Sequence, residues 1–391
     1  MANHQRISIT AAALGAMLLL LNTNVSAAVG QEHPSHWHVY IGTYTAGESE
    51  GIYLLELDLD TGELTQHGLA GEADNPNFLA LHPTEPLLYA VGRMPDGEGG
   101  TQGALGAFRI DAESGRLTAV NQASSIDGGP CHIAVDRAGR HVAAANYGGG
   151  SFLVRAIEDG GGVGETTGHV QHEGSSVHPR QQNPHAHAVD FAPDGRFLFV
   201  TDLGIDKVMI YRYDSETGAV EPNDPPYAEV APGAGPRHFD FHPSGDFAYV
   251  INELDNTVTA FAYDAETGSL ETIHTVPTLP EDFEEDNTTA EVRVHPSGRF
   301  LYGSNRGHDS IAVFEIDETT GELTPAGHAS TQGNTPRNFN VDPSGQYLLA
   351  ANQNSDNVVV FRIDPGTGML EPTGGEAEVP SPVCVVFRAP E

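Results

Sequence analysis

One phrase recurs along this chain and limits what it can fold into. It runs Pro, three or four residues, an apolar residue, His/Asp-Pro-Ser/Asp-Gly, an apolar strand, Asn, a turn, a second apolar strand, Asp, then Thr-Gly-x-Leu. Its clearest copies are GPRHFDFHPSGDFAYVINELDNTVTAFAYDAETGSL from Gly235 and TPRNFNVDPSGQYLLAANQNSDNVVVFRIDPGTGML from Thr335. The central turn glycines fall at Gly139, Gly195, Gly245, Gly298 and Gly345, at separations of 56, 50, 53 and 47 residues. A sixth copy, His82-Pro83-Thr84-Glu85, lacks the glycine. Within each copy, Ser-Gly or Asp-Gly closes one hairpin and Thr-Gly closes another. Four strands in a period of about 50 residues is the signature of a propeller blade. β-branched runs such as Asn357-Val358-Val359-Val360-Phe361 exclude a helical solenoid of similar period.

The first strand of each copy opens at Pro76, Pro130, Ala186, Pro236, Thr289, Pro336 and Pro382, which predicts an all-β, seven-bladed propeller with four antiparallel strands per blade. The last of these strands has no successor, and the segments His38 to Tyr44 and Gly51 to Leu57 have no predecessor. Pairing the C-terminal inner strand with the N-terminal strands completes a seventh blade and covers exposed edges. Two segments break the rhythm: Gly160 to Asn183, read as a long Gly/His/Gln-rich connection, and the acidic insertion Pro280 to Thr289. Long loops of this kind are frequently functional.

The charge balance narrows the partners. The 391 residues carry a formal net charge of −36, with 54 acidic and 18 basic residues, and the only lysine is Lys207. Such a surface repels nucleic acid and anionic membranes and suits high salt, where repulsion is screened. At the N-terminus, Arg6 precedes an apolar stretch from Ile7 to Leu21, and Val25-Ser26-Ala27 offers a cleavage site. This is a secretory signal pattern, so residues 1–27 are expected to be removed. Residues 28–391 then form a single, monomeric propeller domain in the periplasm or outside the cell. Cys131 and Cys384 fall on inner strands separated by an intervening blade, too far apart for a disulfide, so two free thiols are expected.

The repeat also serves as a map. The start of strand one and the end of strand two lie at the same mouth of the central channel. The residues after the strand-opening positions are Asn77, Cys131, His187, Arg237, Ala290, Arg337 and Val383. The strand-two ends are Gly42-Thr43, Gly92-Arg93, Asn146-Tyr147, Asp202-Leu203, Asn252-Glu253, Asn305-Arg306 and Asn352-Gln353. One mouth therefore gathers His187, Arg237, Glu253, Arg306 and Arg337. The recurrent Asn146, Asn252, Asn305 and Asn352 are expected to cap the turn after strand two. His82, His242 and His295 belong to the turn phrase and are expected to be structural. His185 and His187, in Pro-His-Ala-His, stand outside the repeat.

Tyr40-Ile41-Gly42-Thr43-Tyr44-Thr45, the Pro-His-Ala-His segment, Gly235-Pro236-Arg237-His238, Asn252-Glu253-Leu254 and Ser304-Asn305-Arg306-Gly307-His308-Asp309-Ser310-Ile311 resemble the bacterial lactonase family. That family contains propeller-type 6-phosphogluconolactonases and a fungal carboxy-muconate cyclase. The resemblance spans about His38 to Phe387. It implies an active site at one mouth of the channel using a histidine, arginines and a glutamate, carried here by His187, Arg237, Glu253 and Arg306. The export signal departs from the family pattern, because a phosphorylated sugar lactone is not an expected substrate outside the cell.

The chemistry expected is opening of a sugar lactone. Glu253 or His187 acts as general base toward water; arginines beside Glu253 would depress its pKa, which makes His187 the better base and Glu253 its orienting partner. Arg237 and Arg306 stabilise the oxyanion, and Arg337, His185 and Asn77 bind substrate. No cofactor or metal is required: no Cys/His cluster has zinc spacing, although Asn77, Asn252 and Glu253 offer oxygen ligands. The alternatives are a non-catalytic envelope propeller binding an anionic ligand, and cyclase or lyase chemistry on a muconate-like dicarboxylate.

Overall fold

A computed structural model describes Met1 and residues 34–390. The expected leader, apart from Met1, lies outside the described residues. From Pro34 onward the chain forms seven sheets of four antiparallel strands. The inner strands of successive sheets pack side by side around a ring. We number the blades by their inner strands: Phe78–Leu81, Pro130–Val135, Ala186–Phe191, Pro236–Phe241, Thr288–Val294, Pro336–Val341 and Pro382–Arg388 for blades 1 to 7. Blade 7 joins the chain ends, with Val39 opposite Phe387 and Thr43 opposite Pro382.

Alternation along each strand sends every second side chain to one neighbouring blade and the rest to the other. On strand His36–Thr43, Trp37, Val39 and Ile41 pack with Tyr347, Leu349 and Val358 of blade 6. Tyr40 faces the other way, into a cluster with Leu88, Tyr89 and Leu105 of blade 1. The core is thus a series of layers between blades.

The repeated polar residues staple these layers. His82, His242 and His295 direct Nε2 to the carbonyls of Gly139, Gly298 and Gly345 in the next blade, at 2.9, 2.8 and 2.8 Å. Their role is structural, as expected. The recurrent asparagines do more than cap a local turn. Asn146, Asn305 and Asn352 are buried, and each Nδ2 donates to a carbonyl of the preceding blade, Ser125, Thr278 and Thr331, at 3.0 Å. The segment read as one long connection is also corrected. Val163–Gln171 forms the outer strand of blade 2, leaving a short turn at residues 160–162 and the loop of residues 172–185. Cys131 and Cys384 are both free.

Candidate active site

The inner strands present their site residues through a shared backbone device. In blades 2, 3, 4 and 6 the opening residue pairs with the end of strand two, and the ladder then skips one residue: Cys131, His187, Arg237 and Arg337. A bulge of this kind re-aims the extra side chain. The map needs a one-residue correction in blade 7. Thr43, not Gly42, occupies the asparagine position, because it pairs with the opening Pro382 across a register shift. Tyr44 therefore takes the position that Glu253 holds in blade 4, and it lines the same cavity.

Glu253 is the electrostatic centre. It is 4 % exposed. Its Oε2 accepts from Arg237 Nε at 3.0 Å and lies 3.1 Å from Arg306 Nη2, while Oε1 accepts from Arg180 Nη1 at 2.6 Å. His187 Nε2 stands 3.9 Å from Oε2. Burial alone would raise the Glu253 carboxyl, but the guanidiniums of Arg306 and Arg237, with His187 and Arg180, outweigh it and hold the group well below the usual range. An oxygen-ligand metal site at Glu253 does not form here, since arginines occupy both oxygens. Asn252 Nδ2 donates to Thr257 and Thr259 at 2.9 and 3.0 Å, and its buried Oδ1 has no hydrogen-bond partner among the described residues.

The other members differ in how free they are. His187 is pushed well below its ordinary value by burial and then by Arg237 and His238, so it is neutral at pH 7. Arg237 is 2 % exposed, and its donors are committed to Glu253 and, at 2.6 Å, to the Ala290 carbonyl. Arg237 is absent from the lining of the main cavity and touches only a void of about 10 Å³ beneath it. Arg306 lines the main cavity, donates to the Thr289 carbonyl at 2.6 Å and keeps a buried Nε with no partner. Burial brings its guanidinium down to about 9, still a cation at neutral pH. Cys131 also lines the cavity, but burial pushes its thiol up to about 12, which removes it as a thiolate nucleophile.

The cavity encloses about 630 Å³. Arg337 reaches it and, among the described residues, makes no ion pair or side-chain hydrogen bond. Its guanidinium sits 5.3 Å from the Tyr44 ring centroid. Asn77 lines the wall and donates to the Pro130 carbonyl at 3.4 Å. His185 is not in the lining. It stacks behind Tyr147 at 4.4 Å between ring centroids, with Nδ1 2.9 Å from the Tyr147 carbonyl. One charged lining residue, Arg180, escaped the map's shortlist. Arg180 comes from the loop of residues 172–185, outside the repeat register, and its Nη2 donates to the Tyr147 hydroxyl at 3.0 Å. An arginine inside the segment that breaks the rhythm, in a chain this poor in basic residues, was the available signal.

Deeper in the channel a buried layer follows. His132 and His238 meet edge to face at 5.3 Å, and His238 Nδ1 lies 3.0 Å from Glu291 Oε2. Arg293 Nη2 approaches the same carboxylate at 3.5 Å.

The model of the lactonase family, described as a seven-bladed β-propeller, matches residues 38–387. The chain belongs to this family. It is 40 % identical over 296 residues to a 6-phosphogluconolactonase of Bacillus subtilis, covering 75 % of this chain and 82 % of that protein. Among solved structures it is similar to a periplasmic gluconolactonase of Pseudomonas aeruginosa, at 34 % identity and a TM-score of 0.85, covering 91 % of this chain and all of that one. A protein from Lactobacillus plantarum is equally similar in sequence, at 34 %, with a TM-score of 0.84 over 90 % of this chain and 99 % of that one.

Proposed function

We propose that this protein is a hydrolase that opens sugar lactones carrying an anionic group, and that it works in the periplasm or outside the cell. The observation that carries the reading is Arg337. It makes no ion pair among the described residues and lines, with Arg306, a cavity of about 630 Å³ in a chain of net charge −36. That volume suits one sugar-sized ligand, and guanidinium geometry suits carboxylate or phosphate. Family membership and the relatives named gluconolactonase support lactone chemistry. The secretory pattern of residues 1–27 and the likeness to a periplasmic gluconolactonase support the location.

In the proposed mechanism His187, neutral and 3.9 Å from Glu253, accepts a proton from water as the water oxygen attacks the lactone carbonyl carbon. The Glu253 carboxylate stabilises the imidazolium so formed. Arg306 stabilises the oxyanion of the tetrahedral intermediate. When the ring C–O bond breaks, His187 returns its proton to the leaving alkoxide. Arg337 holds the substrate's acid group. Arg237 acts by fixing Glu253, which revises the expectation that it contacts the oxyanion. The test is acid release from a panel of neutral, carboxylated and phosphorylated aldonolactones. Expected is turnover with the lowest KM for anionic members. No turnover of any member defeats the reading.

A further inference from the structure

The closing blade contains a second cluster, which the lactone cavity does not use. His36 and His38 lie two residues apart on strand His36–Thr43 and so share a face. Glu56 stands directly opposite His38 on the neighbouring strand. Ligand atoms of His36, His38 and Glu56 all lie within 4.8 Å of one another. Glu56 Oε2 is 3.8 Å from His36 Nε2 and 3.7 Å from His67 Nε2, the latter from strand Leu64–Glu72. An adjoining cavity of about 320 Å³ is lined by His38, Glu56 and His67 among others.

His38 is the residue that the repeat does not explain. Counted back from the asparagine position, its equivalents are Leu87, His141, Phe197, Phe247, Phe300 and Tyr347. Each packs beneath a hairpin glycine of the next blade: Gly161, Gly218, Gly268, Gly321, Gly368 and Gly62, as His38 does beneath Gly115. Five of the six are aliphatic or aromatic. The other histidine, His141, is satisfied by the Tyr213 hydroxyl at 2.8 Å, with Asp136 at 3.7 Å. His38 is 7 % exposed, and its buried Nδ1 has no hydrogen-bond partner among the described residues. A buried imidazole nitrogen without a partner is unfavourable at a position where leucine serves elsewhere.

We infer that His36, His38, His67 and Glu56 form a binding site for a zinc-class divalent transition metal, clipping three strands of the ring-closing blade together. Imidazole nitrogens with one carboxylate oxygen are a borderline ligand set that selects such ions over calcium or magnesium. Ligands about 2.0–2.1 Å from a tetrahedral zinc lie roughly 3.3 Å apart, so the His36 and His67 distances to Glu56 need to close by a few tenths of an ångström, and the widest separation within His36, His38 and Glu56, at most 4.8 Å, closes by rotation of side chains on adjoining strands. The site joins the N-terminal strand, which closes the ring by pairing with the C-terminal strand, to the two strands after it. Its expected effect is on stability and not on hydrolysis.

The test uses tag-free protein stripped with chelator and titrated with zinc chloride, read by calorimetry and thermal unfolding. One equivalent should bind with a dissociation constant below about 10 µM and raise the Tm, while calcium and magnesium do neither. His38→Leu, which restores the side chain used at Leu87, should fold and lose the zinc response. His67→Ala should weaken binding about 10- to 100-fold. Lactone hydrolysis should be unchanged in both. Zinc binding weaker than millimolar in the parent protein, or equal binding by parent and His38→Leu, overturns the inference.

Discussion

Blades 4 and 6 carry the same phrase and give their arginines opposite circumstances. Arg237 and Arg337 follow equivalent prolines, Pro236 and Pro336, and both sit at the bulge of an inner strand. The strand-two ends differ: Asn252 is followed by Glu253, but Asn352 is followed by Gln353. With the carboxylate, Arg237 is buried, bonded and withdrawn from the cavity. Without it, Arg337 lines the cavity with an aromatic ring for company. One side chain on the adjacent strand thus separates an arginine bonded within the wall from one that faces the cavity.

The largest effect is expected at Glu253, where that contrast originates. Glu253→Ala leaves Arg237 and Arg306 buried without a counter-charge and should cost about 3–5 kcal/mol of stability, together with nearly all hydrolysis. Urea unfolding and lactone assays measure both, and a variant as stable as its parent would break the comparison. Next is the arginine pair. Arg237→Ala should lower both stability, by about 2–4 kcal/mol, and kcat. Arg337→Ala should leave stability within about 0.5 kcal/mol and raise KM for anionic lactones about tenfold, or about 1.4 kcal/mol. Similar unfolding curves for the two variants would show that burial does not separate them. A smaller effect is expected from Gln353→Glu, which supplies blade 6 with the acid that blade 4 has. It should raise KM for anionic lactones about 3-fold, roughly 0.7 kcal/mol, with kcat retained; an unchanged KM would mean the new carboxylate does not reach Arg337.

The smallest prediction sharpens a second pair of repeat equivalents, Asp190 and Asp240. Burial raises the Asp190 carboxyl to about 8 and that of Asp240 to about 6. Both are lowered again by Arg293, but Asp240 also accepts the Val294 N–H at 2.8 Å, which favours its charged form. An acid whose folded pKa lies above its unfolded value, about 3.9, contributes stability at low pH that is lost as pH rises. For Asp190 that loss runs from about pH 4 to pH 8. Asp190→Asn should therefore be more stable than its parent at pH 8, with the gap shrinking towards pH 5. A pH-independent difference in Tm would count against the raised carboxyl.

Much of the fold was legible because each blade repeats its own instructions. Turn glycines, strand-opening prolines and buried asparagines recur at the same offsets, and each occurrence checks the others. Reading failed where the register is not repeated. Val163–Gln171 lacks the phrase and reads as loop, although it is an outer strand. The blade 7 offset of one residue was invisible because the two halves of that blade lie at opposite ends of the chain, and only pairing of Thr43 with Pro382 sets it. Of the candidate site, the map named His187, Arg237, Glu253, Arg306 and Arg337 but omitted Arg180, and His185, expected to bind substrate, is not in the cavity lining. His185 precedes the strand and turns behind Tyr147, and Arg180 arrives on a loop whose path no local pattern specifies.

Periodic sequence thus decided the number of blades, their strand order, the mouth at which polar residues gather and the sign of the charge facing solvent. These follow from local turn chemistry and alternation, which act over a few residues. Tertiary structure decided which arginine is spent on Glu253, which stays free, and that His36, His38, Glu56 and His67 share one corner. Those outcomes depend on contacts between strands and blades, where a carboxylate's presence or a one-residue offset sets the partner, and sequence distance carries no information about either.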